Sequence, residues 1–595
     1  MTLHDPTSYS DLSQGRIRHI DFHIQADFST NTLAVKATYQ LDTPRRGPLF
    51  LDTFKIDMKK AHANGRALTW EYDTSHEALG SRLHLKGLDG DNSFTLEFRT
   101  SPEASALQWL TAAQTLGGEH PFLYSQCQNI HARSVFPCQD TPSVRFTYSA
   151  EMEVPKGLTA VMAAEQVEGG ALSESKGRDG SGRFVFRMPQ PIPSYLFALA
   201  VGHLEFREFG PRTGVYAEPE ILEAAAWEFA ENEMRVNEAE KLLGPYLWGR
   251  YDLLVLPPSF PFGGMENPRL TFLTPTSILG TRGQTYLITH ELAHAWTGNL
   301  VTNATWQDFW LNEGWTTYAE TRITEVLEGK DFNELNLVFH SRELVEAMER
   351  LGYDSPHTCL KRTDGEEDAR AFNIPYYKGC FFLQECERAV GRTRFDAFIQ
   401  SYMKRFQFQS ITTETFLDFM KVELPEVFSK VDVNQWIYKP GMPEGWPKPQ
   451  SKLYDEVQSA LNAYQKDGTL PTPAQVEHWH GVQVKSFLQG LPATVPAADC
   501  PRIEEALGLS RWNDAAHLSF FYALCIASGY EAILPRVEAY AEKIGRMLYV
   551  MPVFRALITT EWSRPHARPL FERVKSRHHL ITAGGIERIL SMAGV

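Results

Sequence analysis

Every second residue from Ile20 to Phe28 is apolar, and Leu33, Val35, Ala37, Tyr39 and Leu41 repeat the alternation. A period of two puts one face of each segment inside, so two neighbouring half-buried strands are predicted. The same pattern returns at Phe94, Leu96 and Phe98, from Val144 through Phe146, Tyr148, Ala150 and Met152 to Val154, and at Phe184 and Phe186, with a Gly/Asp-rich turn at Gly87 to Asn92. Pro189, Pro191 and Pro193 read as an interruption, followed by a last strand within Tyr195 to Phe209. Residues 1–205 are therefore expected to form an all-β domain.

Beyond this the period lengthens. Pro219 to Leu243 reads as one long helix stopped by Gly244-Pro245, and Tyr251 to Leu256 as a short strand. Helical composition continues at Phe381 to Val390 and Thr413 to Val422, which assigns 206–440 to a mixed, mostly helical domain. Residues 441–452, with Pro443, Pro447 and Pro449, read as a linker. From 453 to 595 nearly every segment is an amphipathic helix, including Leu453 to Tyr464, Ala474 to Leu488, Asp514 to Ala527 and Glu531 to Ile544. The fold class expected is multi-domain α+β ending in a stacked helical domain, although no fixed-period repeat marks a solenoid.

At 595 residues the chain has ample material for several cores. A net charge of -15 argues against nucleic acid as a partner, since phosphate binding needs clustered Lys and Arg. Seven cysteines without paired spacing fit reduced thiols, and no apolar run approaches the ~18 residues of a membrane span. The opening residues lack the pattern of a secretory signal, so a cytoplasmic protein, free of membrane and monomeric, is expected.

The chemistry concentrates between Tyr286 and Glu320. His290 and His294 are one helical turn apart and share a face, Glu291 lies about 100° round from His290, and Glu313 follows in Asn312-Glu313-Gly314-Trp315. His-Glu-x-x-His also arises in ordinary helices with core histidines. The downstream Asn-Glu-Gly-Trp and the upstream Gly263-Gly264-Met265-Glu266-Asn267 set this occurrence apart. Three non-cysteine ligands leave a zinc position open, as catalytic rather than structural sites do. Glu291 can then move a proton from water to a leaving amine, which implies amide hydrolysis. Glu320, two turns after Glu313, either orients a ligand histidine or is a solvated helix residue.

Together these motifs resemble the gluzincin zinc aminopeptidases, and within them the leukotriene hydrolase branch. Further matching stretches are Ser125 to His131, Pro137 to Ser143, Tyr251 to Pro258, Trp306 to Gly314, Pro375 to Gly379 and Gly545-Arg546-Met547. The resemblance implies a β saddle, a thermolysin-like catalytic domain and a solenoid-like helical domain, one Zn2+ per chain, and short peptides with a free N-terminus as substrates. It implies that Glu266, assisted by Gln128, grips the substrate α-amine and that Tyr376 donates to the oxyanion. Backbone at Gly263, Gly264 and Met265 would meet the peptide, and Arg546 would take its C-terminal carboxylate. Two departures stand out. Leu548 replaces a lysine expected two residues after Arg546, and Ala371 replaces a tyrosine five residues before Tyr376. Asp368 matches an aspartate implicated in epoxide opening. Peptidase activity with little or no lipid epoxide hydrolysis is the expectation, against the alternatives of a lipid epoxide hydrolase and of a non-catalytic zinc scaffold.

Overall fold

A computed structural model describes residues 5–44, 47–88, 90–168, 182–283, 285–362, 369–511 and 514–595. The first alternating segments form strands Ile17–Asp27 and Thr32–Leu41, paired antiparallel with Phe22 opposite Ala37 and Ile24 opposite Val35. They sit at the centre of an eight-stranded sheet. Arg145–Glu153 joins one side in parallel and Ser93–Arg99 the other side antiparallel. Ile20, Phe22, Ile24, Leu33, Val35 and Ala37 are all buried, as the period requires. Two smaller sheets, of three and four strands, complete this β-rich part.

The prolines at 189, 191 and 193 do not interrupt the sheet. They lie inside strand Arg183–Pro193, where pairing with Arg145–Glu153 slips between Phe146 and Tyr148. A bulge is where a residue lacking an N–H disturbs the ladder least.

Strand Glu205–Glu208 opens a five-stranded sheet whose order continues through Thr213–Ala217, Tyr251–Val255 and Leu270–Leu273 to Gly264–Met265 at the edge. Pro219 to Leu243 is two helices, Pro219–Phe229 and Asn232–Leu243, rather than one. The break has a tertiary cause: Arg282 donates to the Trp227 carbonyl at the end of the first helix and to the Glu231 carboxylate before the second. No local breaker announces it.

The β-rich and catalytic parts share one continuous apolar core, whereas the C-terminal helices enclose a second. No helix or strand lies between Tyr438 and Lys452, yet Trp446 packs on Phe381 at 5.1 Å, so this stretch is docked and not a free spacer. Helices Lys452–Asp467, Gly481–Gly490, Ala515–Ala527, Met547–Leu557 and Leu580–Met592 each pack on the next in that series, with shorter helices between them forming a second layer. Among the described residues no helix is long and apolar enough to cross a membrane.

Candidate active site

Helix Thr285–Ala293 carries His290, and the His294 N–H still bonds back to the His290 carbonyl at 3.2 Å, so both rings leave one face. Helix Trp310–Glu328 packs against it and presents Glu313 in its first turn. The two Nε2 atoms are 3.2 Å apart, and each lies 3.4 Å from Glu313 Oε2. Ligands of a tetrahedral zinc at ordinary bond lengths are about 3.3 Å apart, so the triangle has the size of a zinc site.

Three further observations fit a cation at its centre. Glu313 Oε2 is buried without a hydrogen-bond donor. Burial opposes ionisation of Glu313, but the facing imidazoles overcome it and hold the carboxyl low. Burial likewise opposes a proton on His290, and Glu313 and Glu320 overcome that, so the cluster favours positive charge.

The remaining ring nitrogens are engaged. His290 Nδ1 lies 2.9 Å from Glu320 Oε2, and His294 Nδ1 lies 3.0 Å from the Thr297 carbonyl. Each Nδ1 then carries the proton, leaving Nε2 with its lone pair toward the metal position. Glu320 is 4% exposed and so is not the solvated helix residue that its sequence position equally allowed. Replacing it by Ala should lower zinc affinity about 10- to 100-fold, read by competition with a coloured chelator; unaltered affinity would remove Glu320 from the site.

Glu291 packs over Gly264, where an added Cβ would fall 2.4 Å from Glu291 Oε1. Only glycine lets the carboxylate and the edge strand approach so closely. Burial pushes the Glu291 carboxyl up to about 7, with both histidines pulling it the other way, and a divalent cation nearby would pull it lower still. Glu266 is 4% exposed. One carboxylate oxygen each from Glu266 and Glu291 and a His294 nitrogen lie within 4.8 Å of one another. Gln128 Nε2 donates to Glu266 Oε1 at 3.3 Å, bringing a β-domain loop to the catalytic sheet. Gln126 Nε2 lies 3.1 Å from Met265 Sδ on the same edge.

Tyr376 sits in a π-helical turn, Ile374–Lys378, a wide turn that re-aims side chains. Its ring stacks 5.9 Å from that of His290, and its hydroxyl meets the Glu313 carboxylate. Gly314 and Gly379 make that approach possible, since a Cβ on Gly314 would fall 2.8 Å from Gly379 Cα.

Arg546 arrives from the C-terminal part between two backbone bonds, Gly545 N–H to the Pro258 carbonyl and Met547 N–H to the Pro261 carbonyl, both 3.1 Å. The guanidinium lies 4.5 Å from the Tyr549 ring centre, and a Cβ on Gly263 would sit 2.8 Å from its Nη2. It is 8% exposed, its Nε has no partner, and among the described residues it forms no ion pair. Leu548 is 62% exposed beside it. Ala371 is buried, and Asp368 lies outside the described residues.

Sequence reasoning passed over Thr316, whose hydroxyl is 3.0 Å from His294 Nδ1, and Asn299, whose amide holds the Glu266 carbonyl at 2.7 Å. It also passed over Arg145, which reaches from the β-rich part to the carbonyls of Asn299 and Gln409 at 2.9 and 3.1 Å. Thr316 follows Glu313 by three residues, and that spacing was the one available signal.

The fold and this cluster define a zinc-dependent hydrolase with an edge strand beside its metal position. The chain belongs to the M1 peptidase family, whose cofactor is one catalytic zinc: residues 8–196 match the Peptidase M1 N-terminal domain, 226–436 the Peptidase family M1 domain, and 479–590 the Leukotriene A4 hydrolase C-terminal domain. It is 37% identical to a Xenopus laevis protein named leukotriene A-4 hydrolase, over 97% of this chain and 98% of that one. It is 34% identical to leucine aminopeptidase 2 of Aspergillus clavatus, over 98% of each. The structure of yeast LTA4 hydrolase in complex with bestatin superposes with a TM-score of 0.90 at 30% identity, covering 99% of this chain and 97% of that one.

Proposed function

We propose that this M1 peptidase removes the N-terminal residue of short peptides, using His290, His294 and Glu313 as zinc ligands. The observation that carries the reading is Glu266, a buried carboxylate beside the metal triangle with Gln128 against it. A cationic α-amine is the substrate group that such a carboxylate favours, and its position fixes cleavage one residue in.

Zinc bound there supplies Lewis acidity, acidifying water and polarising the scissile carbonyl. Glu291 takes the proton from the attacking water and returns it to the departing amine. The Tyr376 hydroxyl donates to the carbonyl oxygen as negative charge builds on it. The unpaired edge at Gly264 and Met265 accepts the peptide backbone as an added strand. Arg546, buried and without an ion pair among the described residues, receives a carboxylate at the far end. With the exposed Leu548 beside it in place of a second cation, longer and amidated peptides are also accepted.

Tyr376→Phe should lower kcat about 10²-fold with little change in KM, because the hydroxyl acts on the oxyanion rather than on bound peptide. Steady-state rates on an aminoacyl anilide read this; a rise in KM alone would place Tyr376 in ground-state binding.

A second reading, epoxide hydrolysis, is favoured by the similarity to a protein named leukotriene A-4 hydrolase, and Ala371 stands against it. A panel of aminoacyl fluorogenic substrates with and without chelator, beside a leukotriene-type epoxide, separates the two. Chelator-sensitive turnover of the aminoacyl compounds, restored by zinc and unmatched on the epoxide, is expected. Turnover of the epoxide alone would overturn the peptidase reading. The seven cysteines, all free, support a reducing, cytoplasmic setting and a monomer is the working state.

A further inference from the structure

A row of rings leads away from the metal position past Tyr376. Phe372 has its ring 4.9 Å from that of Tyr376 and is 61% exposed. Tyr377, the next residue of the π-helical turn, has its ring 6.4 Å from that of Tyr376 and stacks on His340 at 4.5 Å. Tyr376, Tyr377 and His340 are each partly open to solvent. His340 and Glu343 lie three residues apart on helix Lys330–Leu351, so they share a face, and that helix packs against the turn.

A carboxylate without a cation stands at the end of this row. The Tyr377 hydroxyl donates to Glu343 Oε2 at 2.9 Å, and Asn373 Nδ2 approaches the same oxygen at 3.5 Å. Glu343 is half-buried and forms no ion pair among the described residues; its neighbour Arg342 turns instead to the Tyr454 hydroxyl at 2.8 Å. One oxygen is thus held by the turn that carries Tyr376, and the other is left for a cation. The exopeptidase reading, on which this inference rests, sets the direction of the bound chain. Glu266, which takes the amine, lies on the His294 side of the metal triangle, and Tyr376, which takes the carbonyl oxygen, lies over His290. A peptide running from the first to the second leaves the metal past Tyr376 and meets Phe372 and Tyr377 with its second residue.

Rings followed by a carboxylate suit one side chain above the others. Arginine carries an apolar stem and a planar guanidinium that both stacks on aromatic faces and pairs with a carboxylate. An aliphatic side chain would use the rings and leave Glu343 bare, and an acidic one would be repelled by it. We propose that Glu343 is a specificity-determining residue that selects arginine immediately after the scissile bond, with the stem across Phe372 and Tyr377 and the guanidinium on the free carboxylate oxygen. Tyr377 is then a positioning residue, since its hydroxyl fixes the carboxylate that does the selecting.

Steady-state kinetics of the full-length, zinc-loaded chain on Leu-Arg-Ala and Leu-citrulline-Ala test this, because citrulline keeps the shape of arginine and lacks its charge. A leucyl anilide, which has no second residue, is measured beside them. Wild type should favour the arginine peptide about tenfold in kcat/KM, chiefly through KM. Moving the substituted residue one place on, in Leu-Ala-Arg and Leu-Ala-citrulline, should abolish the preference. Glu343→Gln should bring the ratio to about one, Tyr377→Phe should lower it part of the way, and Glu343→Lys should favour Leu-Glu-Ala over Leu-Arg-Ala, with melting temperatures showing that each variant is folded. A wild-type ratio of one on an enzyme that cleaves the anilide would overturn this proposal and leave the exopeptidase reading standing. So would a ratio unchanged in Glu343→Gln, or a preference that follows arginine to the third position. An enzyme that cleaves neither the anilide nor any of the peptides would overturn the exopeptidase reading and this proposal with it.

Discussion

Glu291→Gln should leave zinc content near one per chain and cut turnover of an aminoacyl anilide by about 10⁴-fold, the upper end of what a positioned proton acceptor contributes. Glu291 is not one of the three atoms of the metal triangle, so the substitution spares the ligands. Glutamine keeps the shape that packs over Gly264, and the edge strand should stay in place. What is lost is the ability to accept a proton from water, and that loss falls on kcat rather than KM. Metal analysis alongside steady-state rates reads both halves. Unchanged turnover with full zinc would remove Glu291 from the chemistry, and lost zinc would make it a structural neighbour of the metal.

Glu266→Gln should lower kcat/KM on peptides with a free N-terminus by about 10²- to 10³-fold, mostly through KM, since it leaves a desolvated ammonium without its counter-charge. The same change should erase most of the preference for free over blocked N-termini. Gln128 donates to Glu266 Oε1, so Gln128→Ala should act in the same direction with a smaller effect. A Glu266→Gln enzyme that kept its KM and its discrimination would place the amine elsewhere.

Much of this site was legible because its spacing is local. His290, Glu291 and His294 share one turn, and the strands of the β-rich part announce themselves by a period that the structure keeps at Phe22 and Ile24. Glu320 was half legible: two turns from Glu313 puts it on the right face, but only packing of Trp310–Glu328 against Thr285–Ala293 shows that it meets His290 Nδ1 and not water. The break at Ala230 and Glu231 was not legible at all. It depends on Arg282, about fifty residues later and carrying no helix signal, a case of tertiary contact overriding propensity. The prolines of Arg183–Pro193 misled for a related reason. A bulge absorbs them, and a bulge is a property of the partner strand as much as of the prolines. Arg145 and Asn299 are invisible in sequence because each works through backbone carbonyls of distant segments.

The same distinction separates the two ends of the cleft. The proposed amine end would rest on Glu266 and Gln128, whose contact spans two parts of the chain but whose motifs are compact. The proposed carboxylate end would rest on Arg546, positioned by backbone bonds from Gly545 and Met547 to the Pro258 and Pro261 carbonyls that no motif encodes.

The proposed exopeptidase site sets a buried carboxylate beside a single zinc. Product analysis on a matched pair of tetrapeptides, one with a free N-terminus and one N-acetylated, distinguishes it from an endopeptidase site. The zinc-loaded enzyme should release only the first residue of the free peptide and leave the acetylated one intact over the same interval. Cleavage of both at equal rates, or release of an internal fragment first, would contradict it.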